Sequence, residues 1–376
     1  MKRLTSATLW LLLLAAPHWA QIRNVTINAE SEEGKLLQQA GEESDNAKKI
    51  GLLEQFLAKF GAHDAAGYVH LQLQAACLAA NDFDKSLEHG LEAQKKAPED
   101  LEISHLLVKG AEGKGDAERL VAIVEKTHEL AQKAKGAPKP NDADDAETWK
   151  RSVEFATQVG QYNEHALYGS ALKQTVPQGK VLLLDALRKY FPGGQFDKTL
   201  DAQYVVAYQQ LGQNDKMVQA AEAALAGDPD NEAYLYLVGE SYVDPAKGKI
   251  ATAEGNARKI LEILPGKAKP SNVSDDDWNK YKNNYLGLAR SLLGRSLVNQ
   301  GKFAPAHKEL LAAAAALKGN NDALAPVLFF LGFCSAKLER HRDAVTYLSQ
   351  AAKIPGPYQA PASDLLTKVR AALAGR

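Results

Sequence analysis

Cysteine is scarce in this sequence: its 376 residues include two, Cys77 and Cys334. Two thiols exclude a zinc site built on cysteine. An exported chain can pair its cysteines. These two lie far apart, each on an apolar helix face where free cysteine behaves as a small hydrophobe, so two unpaired core thiols are expected. Net charge is also nearly absent, with 45 Lys and Arg against 46 Asp and Glu. That balance excludes the broad basic field of a nucleic-acid binder. Beyond the N-terminus no run of 18 apolar residues occurs, so no internal membrane span is expected.

Catalytic patterns are missing as well. His128-Glu129 has no second histidine four residues on, and Gly113-Lys114-Gly115-Asp116 lacks the spacing and the Ser/Thr of a phosphate-cradling loop. No Gly-x-Ser-x-Gly occurs, and the nine histidines are scattered. Asp142, Asp144, Asp145 and Glu147 lack the turn glycine and distal glutamate of a calcium loop. These acids suit the positive end of a following helix, as Asp275–Asp277 do before Trp278. Neither an enzyme nor a bound cofactor or metal is expected.

What the chain does have is a recurrence of about 34 residues. In Gly67–Asp100, Leu71, Leu73, Ala76, Cys77 and Leu78 make one apolar helix face. Asn81-Asp82 makes the turn, a second helix from Phe83 buries Leu87, Leu91 and Ala93, and Pro98 stops it. Lys198–Asn231 repeats the plan with Tyr204, Val205 and Tyr208, the turn Gly212-Gln213-Asn214, and the small residues Ala220, Ala221, Ala223 and Ala224. Small residues belong where neighbouring helices cross closely. One such pair cannot bury its apolar face alone, so pairs stack.

On these residues the chain resembles the tetratricopeptide repeat family, and an exported bacterial member of it. Ala146–Gly179 matches through Trp149, Gly160-Gln161-Tyr162 and Pro177. Gly287–Lys318 matches through Leu293-Gly294, Gly301-Lys302-Phe303, Ala306 and Ala313, and Ala325–Gly356 through Leu331-Gly332, Ala344 and Ala351. Glu232–Gly266 keeps Val238-Gly239, Tyr242 and Pro265 with a turn lengthened at Asp244–Lys249, and Leu101–Ala134 is a weak copy. The resemblance implies an all-α, right-handed solenoid of antiparallel helix pairs that binds protein partners or extended peptides on its concave face. The family's groove positions fall on Tyr236 and Glu240, on Leu288, Ser291, Arg295, Val298 and Asn299, and on Pro326, Phe329, Phe333, Ala336 and Lys337. The candidate peptide-binding set is therefore Tyr236, Arg295, Asn299, Phe329, Phe333 and Lys337. Two phenylalanines beside Arg295 and Lys337 suit a peptide with an apolar side chain and an acidic group. The alternative open to Phe329 and Phe333 is packing against the terminal helix. The family's carboxylate clamp is not expected, because its Lys and Asn positions do not match.

A longer repeat overlies the short one. Leu52-Leu53-Glu54 recurs as Leu183-Leu184-Asp185, and Asp84-Lys85 and Pro98 recur as Asp215-Lys216 and Pro229, all at one offset of 131. The same offset carries the linker at Ala137 and Asn141 onto Ala268 and Asn272, which suggests two lobes made by duplication. Asp275–Gln300 is expected to be one helix about three turns longer than its first-lobe counterpart.

The expected organisation begins with a signal peptide at 1–20: basic Lys2 and Arg3, apolar Leu9–Ala16, and cleavage after Ala20. Then come a flexible mature N-terminus (21–44), a first lobe (45–135), a linker (136–145), a continuing array (146–360) with a loop at 266–274, and a capping helix (361–376) with Ser363 as its N-cap. The expected function is a non-catalytic interaction scaffold, periplasmic or secreted. The alternative is an accessory subunit of an envelope enzyme, or a hydrolase with its site at the lobe junction.

Overall fold

A computed structural model describes residues 22, 23 and 25–374. The expected leader, 1–20, lies outside the described residues. Among these residues there are 17 α-helices and no strand. The chain divides into two compact units, Met1–Leu200 and Asp201–Arg376.

The first unit contains α1 (Glu32–Glu42), α2 (Asn46–Phe60), α3 (Ala66–Ala79), α4 (Phe83–Lys96), α5 (Leu101–Lys114), α6 (Ala117–Lys135), α7 (Ala143–Lys173) and α8 (Pro177–Tyr190); α9 (Asp197–Gln210) crosses the boundary. Each helix packs on the next, from α1 to α8, and α3, α5 and α7 also touch in sequence as one layer. Aspartates start many of these helices: Asp82, Asp100, Asp116 and Asp142 each accept backbone N–H groups in the first turn. That satisfies donors a helix cannot satisfy itself. Asp142 accepts from the N–H groups of Asp144 and Asp145, so the acidic stretch there is a helix start.

The second unit contains α10 (Asn214–Gly227), α11 (Glu232–Tyr242), α12 (Ile250–Ile263), α13 (Asp275–Asn299), α14 (Phe303–Ala316), α15 (Asn321–Lys337), α16 (His341–Ala351) and α17 (Gln359–Ala374). The lengthened turn before α12 is a short 3-10 segment, Pro245–Lys247, ending on Gly248. Helices α11, α13, α15 and α17 form one touching layer, and the even-numbered helices close each pair from behind. Glu232 fastens the start of α13: its buried carboxylate receives the Lys267 ammonium and the Tyr281 hydroxyl. Burial alone would raise its pKa, but these two donors hold it below the usual carboxylate range.

The Leu-Gly signature has a steric cause in this unit. A Cβ on Gly294 would lie 2.6 Å from Leu310 Cγ, and one on Gly332 would lie 2.5 Å from Leu348 Cγ. Each glycine is the hollow into which a fully buried leucine of the following helix fits. The two thiols are buried and free, and burial pushes Cys77 up to about 11 and Cys334 up to about 12.

Several expectations need correction. The stretch matched to a repeat at Ala146–Gly179 has no turn: α7 is one helix of 31 residues running through Gly160-Gln161-Tyr162. Its buried residues Ala156, Val159, Asn163, Ala166, Leu167 and Ala171 keep one face across that point. The apolar period therefore outweighs the local Gly-Gln-Tyr signal. In consequence α13, at 25 residues, is shorter than its counterpart α7, not longer. The segment 21–44, expected to be flexible, carries α1 and packs inward: Ile22 is buried, and Val25 and Ile27 rest on the cluster of Leu36, Phe56 and Val69. Arg23 pairs with the buried Asp100 at 3.1 Å and with Glu102 at 2.6 Å. Leu91 is exposed, because the inward stripe of α4 runs through Ser86, Leu87, Gly90 and Ala93. Ser363 lies inside α17 and donates to the Gln359 carbonyl instead of capping the helix.

Two substitutions separate these glycine roles by thermal or denaturant unfolding. Gly160→Ala should stabilise by about 0.5–1 kcal/mol, because the site is mid-helix with open space around a Cβ. Gly332→Val should destabilise by about 1–3 kcal/mol through overpacking against Leu348.

Acid sensitivity is built into the packing. His105 on α5 sits edge-on to Phe155 and Tyr162 of α7, with ring centroids 6.0 and 4.9 Å away. Burial, helped by Lys109, pushes its pKa down to about 4. Burial also lowers His70, His89, His128 and His307. An unfolded imidazole titrates near 6.5, so below that pH the unfolded chain binds protons the folded chain refuses. The stabilisation is complete above about pH 6.5 and is lost as pH falls toward the lowered folded values. Melting temperature should therefore fall between pH 6.5 and 5, and His105→Gln should flatten that slope.

Candidate functional site

Three consecutive members of the touching layer in the second unit, α11, α13 and α15, line a cavity of about 370 Å³. Helix periodicity sets what each contributes, since residues three and four apart share a face. Tyr236 and Glu240 come from α11, Leu288, Ser291 and Arg295 from α13, and Asp322 and Pro326 from the first turns of α15. The loop between α16 and α17, Pro355-Gly356-Pro357-Tyr358, closes one side.

The dominant interaction inside is an ion pair. Arg295 Nη1 donates to both carboxylate oxygens of Glu240, at 2.7 and 2.9 Å. The arginine side chain is 13% exposed and the glutamate 39%. Phe330 supports the guanidinium from its ring face, 5.8 Å from the centroid. Burial first, and then the Glu240 carboxylate beside it, push the Tyr236 hydroxyl far above its ordinary value, so it remains a hydrogen-bond donor. Burial alone would lower Arg295, but the Glu240 charge and hydrogen bond raise it.

The structure divides the six expected site residues. Tyr236 and Arg295 line the cavity. Asn299 donates at 2.7 Å to the carbonyl of Val243, which caps the end of α11, and so serves a helix terminus. Phe329 packs into the terminal cluster of Leu328, Ala362 and Leu366, with its ring 5.4 Å from Tyr358. Phe333 meets Phe303 of α14 at 6.0 Å, and the exposed Lys337 ammonium lies 5.5 Å from the Phe333 centroid. None of these four lines the cavity. Of the two courses open to Phe329, packing against the terminal helix is the one the structure shows.

Asp322 and the Pro355–Tyr358 loop were not among the expected residues. Asp322 lies one turn before the matched helix positions, and the loop straddles the end of the last matched repeat. The two prolines flanking Gly356 are the only sequence signal there, and they mark a turn without saying what it covers.

No family model matches the chain, and no curated protein matches it. Among solved structures it is similar to the TPR domain of P58(IPK), at 11% identity over 92% of this chain and 99% of that one, with a TM-score of 0.26. It is also similar to yeast Tom70, at 10% identity over 92% and 97% of the two chains, with a TM-score of 0.23. Superpositions this loose carry no argument, and the helix-pair fold rests on the packing described above.

Phe329→Ala should cost about 2 kcal/mol or more in unfolding experiments, as expected for removing an aromatic ring from a packed cluster. Lys337→Ala should change stability by less than about 0.5 kcal/mol. Equal, small effects would return Phe329 to the list of groove residues.

Proposed function

We propose that this chain is a non-catalytic interaction scaffold that acts outside the cytoplasm and holds extended segments of partner proteins along the α11–α13–α15 face. The observation that carries the reading is the cavity itself: successive layer helices each contribute side chains to one depression. A stack of helix pairs generates such a surface wherever neighbouring first helices lie side by side. Residue chemistry favours binding over catalysis. The cavity is lined by no histidine and no cysteine, and its Glu240 carboxylate is taken up by Arg295. Among the described residues no group of three or more His, Cys, Asp or Glu is placed to hold a metal ion.

Location rests on the N-terminal pattern of Lys2, Arg3 and the apolar run to Ala16. Ile22 and Arg23, just beyond the expected cut after Ala20, are already engaged with the folded unit.

A photo-cross-linking residue placed at Leu288, in the cavity, should capture partner chains in the native cell. The same group at Lys308, on the exposed side of α14, should not. Equal capture from both positions would defeat the groove reading. Fractionation should recover the shortened chain outside the cytoplasm, beginning near Gln21; a full-length cytoplasmic chain would defeat the location.

A further inference from the structure

We infer that the α11–α13–α15 cavity selects a partner segment carrying a lysine or arginine side chain, and that it disfavours an acidic one. The inference rests on the groove reading above and names the ligand chemistry within it.

Charge decides the matter. An arginine in a groove ordinarily points to an acidic ligand, but here Arg295 is occupied. One of its terminal nitrogens already donates to both oxygens of Glu240, and the side chain is largely buried. Glu240 offsets its charge inside the protein, although Nε stays buried without a hydrogen-bond partner. The remaining charged group of the cavity is Asp322, which is exposed and has no ion-pair partner among the described residues. Glu240, Asp322 and Arg295 together leave one net negative charge facing the depression. The N-terminus of α15 offsets part of the Asp322 charge, yet that helix end is already capped by Asn320. A carboxylate entering this space would meet a neutralised arginine and an unpaired aspartate; an ammonium or guanidinium would meet its opposite charge.

Shape agrees with charge. At about 370 Å³ the cavity lies at the small end of ligand sites, which run from ~300 to 1,000 Å³. That suits one long side chain better than a cofactor. Leu288, Pro326, Pro355 and Pro357 supply apolar surface for the methylene stem of a lysine or arginine. Tyr236 and Tyr358 supply ring faces and hydroxyls near the charged end.

The test uses the full chain and pools of terminally blocked heptapeptides, with six positions randomised and the central residue fixed as Lys, Arg, Glu or Leu. Binding is read by fluorescence anisotropy. The Lys and Arg pools should bind up to about fivefold more tightly than the Leu pool, the upper range for an exposed ion pair, and more tightly still than the Glu pool. That advantage should shrink with added salt. Asp322→Asn, on an exposed site, should remove most of the preference while leaving the circular dichroism unchanged and lowering the melting temperature by no more than a few degrees. Glu240→Gln should release Arg295 and move the preference toward the Glu pool. Preference for Glu or Leu peptides in the wild type, or a basic preference untouched by both variants, would overturn the inference while leaving the groove reading in place. Failure of every pool to bind would overturn both.

Discussion

The fold depends on close approach within each helix pair. A leucine from the second helix can enter the first only where a side chain is missing, and Gly294 and Gly332 provide that absence for Leu310 and Leu348. Interiors pack at crystal-like density, so a contact of this kind has little tolerance for extra volume. Once the second helix seats, the first helix is left with an opposite face, and that face must meet its neighbours. The touching series α11, α13, α15 and α17 is the result. The cavity lies on this series because its side chains must leave the layer on the side away from the second helices.

Above the pairs, the order of elements repeats. Helices α2, α3, α4 and α5 begin at Asn46, Ala66, Phe83 and Leu101; α8, α9, α10 and α11 begin at Pro177, Asp197, Asn214 and Glu232, each 131 residues later. In both series a loop, 136–142 or 267–274, precedes a long helix capped by Asp142 or Ser274. Loops owe nothing to the helical period, so their matching places in the order support duplication of a six-helix block. Chemistry has diverged within that block. His105 on α5 corresponds to Tyr236 on α11, and Lys109 to Glu240. The first series carries a half-buried imidazole edge-on to aromatic rings where the second carries cavity-lining groups.

How much of this was legible in the sequence follows from range. Helix pairs at 66–96, 321–351 and most others were readable because caps, turn glycines and apolar faces are local signals. The unbroken α7 was not, because Gly160-Gln161-Tyr162 copies a family turn while Val159, Asn163 and Ala166 keep the helix buried on one side. Tertiary packing outweighs such a weak local preference. The inward path of 22–44 was hidden for a similar reason. Its anchors, Asp100 and the α2–α3 cluster, lie far along the chain from Arg23 and Val25. Repeat position told which helix face Phe329 occupies, but not that the chain would return with Tyr358 and the α17 cluster and pack against its ring.

The same limit governs the cavity's chemistry. A repeat position says that Arg295 points toward the layer face, and it says nothing about what stands opposite. Glu240 lies 55 residues away on a different helix, and only the fold brings its carboxylate within 2.7 Å of the guanidinium. Leaving one of two such partly buried charges unpaired is costly, so the pair forms before any ligand arrives. Pairing then reverses the sign that the sequence alone would assign to the groove. What remains accessible is an aspartate in the first turn of α15, where its carboxylate also favours the helix end. A residue placed for helix stability thus sets the charge that an incoming side chain must match.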